Sequence, residues 1–170
     1  MDINYVSHYC LNFETTEIRY YQITALDEYS RKRVLEIVEE KSCYNTSKFL
    51  LYLEEKLDFK IKTIQTDNGN EFVNNQEKTK EETYFEKTLS KLGITHKRTR
   101  PYSPWQNGKV ERSHCIDNKF YERQEFKSKE DMKKKVKRYN SRYNNISKEV
   151  LDFKSPNEIV KEYFETQLTT

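Results

Sequence analysis

A chain of 170 residues fits one domain, large enough to bury a real core. Charged residues (35%) match hydrophobic ones (34%), so the thirteen Tyr and nine Phe must supply much of the apolar area. Three Gly and three Pro exclude a low-complexity chain, three scattered Cys exclude a disulfide framework, and no apolar run approaches the ~18 residues of a membrane span.

The net charge of +3 conceals an asymmetry: residues 1–90 hold 12 Lys+Arg against 17 Asp+Glu, residues 91–170 hold 19 against 11. The second half is where a polyanion would sit, with nucleic acid the natural candidate and a solvated Lys-rich helix face the alternative.

In chain order, residues 2–9, 18–26 and 32–39 are rich in β-branched and aromatic residues or alternate polar with apolar, and are predicted as three strands. Asp27-Glu28-Tyr29-Ser30 carries turn chemistry, so the second and third should form an antiparallel hairpin. Asn45–Leu57 sets Phe49, Leu50, Leu53 and Leu57 at helical spacing, with Asn45 or Thr46 as N-cap. A short strand, Lys62–Gln65, ends at Thr66-Asp67-Asn68-Gly69, and Asn74–Glu82 is polar throughout, a surface loop or insertion. Tyr84–Leu92 is an amphipathic helix closed by Gly93, followed by a fifth strand, Ile94–Thr99. Ser103-Pro104 opens a helix through Val110, Ser113 and Phe120, and residues 129–143 and 155–164 form two more. The result is an α/β chain with a mixed sheet, three antiparallel strands then two parallel, flanked by helices.

Two stretches carry chemistry. In Ile64-Gln65-Thr66-Asp67-Asn68-Gly69-Asn70-Glu71-Phe72 a strand delivers Asp67 at its C-terminal end, where ligands bind in α/β sheets; an ordinary turn closed by Asp67 is the alternative. In Pro101-Tyr102-Ser103-Pro104-Trp105-Gln106-Asn107-Gly108-Lys109-Val110-Glu111-Arg112 a loop enters a helix carrying Glu111, which alone would be an ordinary surface acid. Gly108 inside a helix costs about 1 kcal/mol relative to Ala and hints at a close approach.

Together, T-D-N-G-x-E-F and P-x-S-P-x-Q-N-G-x-V-E-R resemble the signature of the DDE integrase/transposase catalytic core, as in retroviral-type integrases and bacterial insertion-sequence transposases. Asp27-Glu28-Tyr29-Ser30-Arg31 resembles that family's D-x-x-S-R hairpin element, and Lys154-Ser155-Pro156-Asn157-Glu158 its S-P-x-E helix start. The resemblance runs from about Asp2 to Tyr163. It implies an RNase H-like five-stranded mixed sheet and a single catalytic core over 1–170, with a helical C-terminal extension from about residue 128. It also implies a DDE-type polynucleotidyl transferase that performs DNA end cleavage and strand transfer. Asp67 and Glu111 match the second and third acids. Asp2 on the first strand is the candidate for the first, with Asp27, at the hairpin turn, as its rival.

The resemblance further implies two Mg²⁺ ions, replaceable by Mn²⁺, held by Asp2, Asp67 and Glu111, because hard octahedral cations take carboxylate oxygens and keep several waters. Lys97, Arg98, Arg100, Lys109 and Arg112 would contact DNA phosphates. Asn68, Gly69, Trp105, Gln106, Asn107 and Gly108 would shape the active-site loop, Trp105 being equally a core residue. The basic run Lys133-Lys134-Lys135 with Lys137-Arg138 is taken as a solvated face. DNA (element ends and target) and a homodimer or higher oligomer are the implied partners, with no membrane and no nucleotide cofactor: no G-x-x-x-x-G-K-[ST] occurs. The expected location is the cytoplasm of a bacterium, at the nucleoid.

Three departures stand out. The 43 residues between Asp67 and Glu111 exceed the usual spacing, with Asn74–Glu82 the natural place for the excess. Cys115 stands where relatives tend to carry a basic residue. Asp2 directly follows Met1, whereas relatives place apolar residues and a helix-turn-helix region upstream; the expectation is a core without either. These departures sustain two alternatives, a truncated inactive remnant that keeps at most DNA binding or assembly with a full-length partner, and a nuclease acting on RNA–DNA hybrids. The P-x-S-P-x-Q-N-G-x-V-E-R loop speaks against the second.

Overall fold

A computed structural model describes residues 1–13, 18–74, 81–100 and 108–168. Its strands are β1 (Asp2–Tyr5), β2 (Tyr21–Leu26), β3 (Arg33–Val38), β4 (Thr63–Thr66) and β5 (Thr95–Arg98). Its α-helices are α1 (Cys43–Leu57), α2 (Tyr84–Leu92), α3 (Gly108–Tyr121), α4 (Lys129–Asn145) and α5 (Pro156–Leu168).

β1, β2 and β3 form an antiparallel sheet, with Asp2 opposite Thr24 and Thr24 opposite Leu35. β4 and β5 pair in parallel, Thr63 with Thr95 through Thr66 with Arg98. The strand order and senses are those expected of an RNase H-like sheet. The ladders nevertheless form two sheets, three strands and two, which meet where the Met1 nitrogen donates to the Gln65 carbonyl at 2.6 Å. Beyond that point Ala25 and Leu26 pair with β3 alone, and a cavity of about 280 Å³ separates them from Thr63, Ile64 and Gln65.

Alternation along the strands sorts the core into two layers. Ile3, Ile23, Ala25 and Val34 share one layer with Phe49, Leu50 and Leu53 of α1 and Phe85 and Leu89 of α2. Val6, Tyr20 and Ile37 share the other with Tyr121 of α3, Phe126, and Met132 and Val136 of α4. The side chains of Gln22 and Thr24 are also buried, and Gln22 donates to Asp117 of α3 at 2.8 Å.

Several predicted boundaries shift. The first strand ends at Tyr5, because a 3-10 turn over His8–Cys10 follows and the Cys10 carbonyl accepts the Phe126 amide at 2.8 Å. The second strand begins at Tyr21 rather than residue 18. The N-cap of α1 is Ser42, whose hydroxyl accepts the Asn45 amide; Asn45 itself donates to the Glu40 carbonyl, and Thr46 is buried one turn inside the helix. Thr83 and Glu86 form a reciprocal capping box on α2, which ends at Gly93 in the left-handed region (φ 69°). α4 is capped by Ser128, and Ser155 and Glu158 exchange bonds at the start of α5. The predicted Ser103-Pro104 helix start and most of Asn74–Glu82 lie outside the described residues. Among those described, no helix is long and apolar enough to cross a membrane.

Candidate active site

The D-N-G turn is built as its composition requires. Gly69 N–H donates to Asp67 Oδ1 at 3.0 Å, closing a side-chain turn at the end of β4, and the amides of Phe72 and Val73 both donate to the Gly69 carbonyl. Asn68 Nδ2 donates to the Thr99 carbonyl at 3.1 Å, which ties the ends of β4 and β5 together. Gly69 does not adopt a positive φ; a Cβ there would lie 2.4 Å from Glu71 Oε1, so the buried Glu71 carboxylate would have to shift. Glu71 is buried, its carboxylate 3.0 Å from Lys41 Nζ, and its carbonyl accepts from Thr46 Oγ1 at 2.9 Å. The turn therefore presents Asp67 while folding Glu71 back beneath it.

Asp2 sits at the start of β1 on the face that α3 covers. Its Oδ1 accepts the Ile3 amide at 2.8 Å, and its Oδ2 lies 3.6 Å from Nδ1 of His114. Burial, reinforced by the negative charge of Asp67, pushes the Asp2 carboxyl up to about 6 from its ordinary 3.8, against the opposing pull of the Ile3 amide and Lys41. Burial likewise lowers the pKa of His114, keeping the imidazole neutral near pH 7. On Lys41, burial pulls the pKa down but the bond to Glu71 and the charges of Asp67 and Asp2 raise it overall, so it stays a cation beside the two acids.

Asp27 is committed elsewhere. Its Oδ2 accepts both the amide and the hydroxyl of Ser30 at 2.7 Å, closing the β2–β3 turn in which Arg31 adopts φ 60°.

Glu111 lies in the exposed first turn of α3. The same helix places His114 beside Asp2, and Lys109 and Val110 line the cavity shared with Met1 and Gln65. Among the described residues, however, no three Asp, Glu, His or Cys side chains gather closely enough to hold a metal ion. Asp2 and Asp67 are brought together; Glu111 does not join them. A hard divalent cation fits the pair that is present, because their oxygens are the right donors and the raised Asp2 pKa reflects a desolvated charge beside a like charge, which a cation relieves.

The five candidate DNA contacts, Lys97, Arg98, Arg100, Lys109 and Arg112, are all exposed. Two already have acidic partners: Arg98 pairs with Glu86, and Lys109 Nζ lies 3.4 Å from Glu28. Among the described residues, no atom lies within 4 Å of a Cβ added at Gly108. Trp105, Gln106 and Asn107 lie outside the described residues. Lys41 and His114 had no signal in the sequence, whereas Glu71 stood inside the T-D-N-G-x-E-F motif and was read only as part of it.

One further group holds α3 in place. Arg33 of β3 and Asp117 of α3 form an ion pair at 2.7 Å with neither side chain exposed. Asp117 also accepts from Gln22 and from Tyr139 at 2.8 Å each; Arg33 donates to Ser113 at 2.8 Å, and Tyr121 donates to Gln22. This network locks the helix that carries Glu111 against β2, β3 and α4.

The integrase core domain family matches residues 1–104, and a second family with the same description matches residues 92–146. The Retrovirus-related Pol polyprotein from transposon TNT 1-94 of Nicotiana tabacum is 32% identical over 94 residues, 54% of this chain and 6% of that protein. The ORF3 protein of Spiroplasma virus SpV1-C74, which carries an integrase name, is 32% identical over 104 residues, 56% of this chain and 29% of its own. The chain thus spans well under half the length of either relative. Among solved structures, a chain of the simian T-cell lymphotropic virus intasome in complex with PP2A regulatory subunit B56 gamma superposes with a TM-score of 0.67 at 18% identity, covering 93% of this chain and 51% of that one. The catalytic core domain of BIV integrase superposes with a TM-score of 0.63 at 17% identity, covering 98% and 96%.

Proposed function

The chain belongs to the integrase core domain family, and from that premise we propose that it is a catalytic core that cuts DNA ends and joins them to a target with divalent metal. The observation that carries this reading is the meeting of Asp2 and Asp67 at the junction of the two sheets, with the first turn of α3 beside them.

Asp2 and Asp67 would hold the cation, with Glu111 as the third acid. Asp2 Oδ2 and the Asp67 oxygen not bound to Gly69 are the atoms left to do so. Divalent ions bound there would neutralise phosphate charge and ease deprotonation of the attacking oxygen, that of water for end cleavage and that of a 3′-hydroxyl for joining. The protein's own groups prepare the site. His114 is kept neutral, so it does not compete with a cation for Asp2, and Lys41 offsets the charge of the buried Glu71. Lys97 and Arg112, exposed and without an acidic partner among the described residues, would position the DNA backbone. An assembly of two or more copies would hold two DNA ends together.

A second reading, a core that binds DNA without performing the reaction, is favoured by the failure of three acids to converge. Mn²⁺-dependent cleavage and joining of a branched DNA oligonucleotide separates the two. Metal-dependent activity that disappears in a folded Glu111→Gln variant is the expected result. Turnover in that variant within a few-fold of the unaltered chain overturns the assignment of Glu111, and inactivity of both favours the second reading.

A further inference from the structure

The basic run on α4 does not form a single solvated face. Lys133 and Lys137 turn toward β3, where they line a cavity with Val34 and Glu36. Lys135, Arg138 and Arg142 turn the other way into a groove between α3 and α4, where they meet Lys119 of α3, Arg123 in the turn just after it, and Lys148. Six cations line this groove and, among the described residues, no carboxylate does. Lys135 pairs with Asp131 at 2.9 Å, and Lys148 lies 3.6 Å from the Tyr143 ring centroid. Lys119, Arg123, Arg138 and Arg142 are exposed and have no acidic partner among the described residues.

The groove is also separate from the acid crevice. At 100° per residue, Val110, Ser113, Asp117 and Tyr121 mark the buried face of α3. Glu111 and His114 fall on one flank of that face, and Lys119 and Phe120 on the other.

We propose that the α3–α4 groove is a second, sequence-independent binding surface for duplex DNA, gripping phosphates on the flank of α3 opposite Glu111. The aromatic floor is largely engaged within the protein. Phe120 and Tyr139 are stacked on each other at 3.9 Å and 6°, and Arg33 lies 4.8 Å from the Tyr139 centroid. Tyr143 is covered by Arg33 at 3.7 Å and by Lys148. These contacts occupy much of the aromatic surface on which an unpaired base would stack, as in single-strand binders, whereas Lys119, Arg123, Arg138 and Arg142 stand exposed. Their spacing suits a backbone: Lys135, Arg138 and Arg142 span about 10 Å of helix, the axial rise of about three phosphates on one strand. Lys119 and Arg123 line the other side of the groove. This surface goes beyond the proposed reaction and does not depend on it.

The test is anisotropy of a labelled random-sequence 20-bp duplex, across a salt series, on the full chain. Arg138→Gln/Arg142→Gln removes two phosphate contacts and should weaken binding about ten- to a hundredfold near 0.1 M salt, lowering the log–log salt slope by about 1.8. Lys133→Gln/Lys137→Gln removes the same charge from the opposite side of α4 and should leave the slope unchanged. Equal losses in the two double variants, or an unchanged slope in the first, overturn the proposal. Tighter groove-dependent binding of a 20-nucleotide single strand overturns its duplex specificity. A chain inactive on branched DNA that still shows groove-dependent binding would refute the proposed reaction and leave this surface standing.

Discussion

Replacing Asp2 with Asn should make the metal-free protein more stable, although the residue is proposed to be essential. The Asp2 side chain is only 15% exposed, and its pKa rises from 3.8 in the unfolded chain to about 6 in the fold, chiefly through burial and then through Asp67. The protonated form is therefore favoured in the folded state. Folding takes up a proton between pH 3.8 and about 6, so stability is highest below this window, falls as pH rises through it and stays low above it. At about 1.4 kcal/mol per pH unit, the penalty at pH 7.5 is about 3 kcal/mol. Asn keeps an oxygen for the Ile3 amide and removes the charge. Urea unfolding at pH 7.5 should show Asp2→Asn more stable by about 2–3 kcal/mol, with the difference vanishing near pH 3.5. Added Mg²⁺ should raise the melting temperature of the unaltered chain by several degrees and leave the variant unmoved. A variant no more stable at pH 7.5, or an advantage that persists unchanged at pH 3.5, would refute the reasoning.

The buried pair predicts non-additivity: Arg33→Met leaves Asp117 charged and without its ion-pair partner, and should cost about 3–5 kcal/mol in urea unfolding. Adding Asp117→Leu to it should recover part of that loss, and a double variant worse than the sum of the singles would overturn the account. The two motif glycines should separate cleanly. Gly69→Ala forces a Cβ against the buried Glu71 carboxylate and should cost about 1–3 kcal/mol, whereas Gly108→Ala meets none of the described residues at a helix start and should be neutral or stabilising by up to about 1 kcal/mol. Equal melting temperatures for these two variants would count against both readings.

Much of this protein was legible before any tertiary structure. Strand alternation, the Phe49–Leu57 spacing and Gly93 are local signals, and each placed its element within a few residues of where it lies. The N-cap of α1 was misplaced because Ser42, Asn45 and Thr46 all carry capping chemistry, and only the direction in which the chain arrives from β3 chooses among them. The motif acids were legible in order, since Asp67 depends on a turn made from its own neighbours. Partnership across long separations was not. Arg33 finds Asp117 84 residues away, and Asp2 on β1 finds His114 on α3 across four further strands and two α-helices. Whether a lysine of α4 faces a groove or β3 depends on how the helix is rotated against its neighbours, and packing sets that rotation. Local propensity and spacing determined which elements form and which residues could do chemistry. Tertiary packing alone decided which charges are buried, which are paired and which stand free, because desolvation and Coulomb energy depend on neighbours in space rather than in sequence.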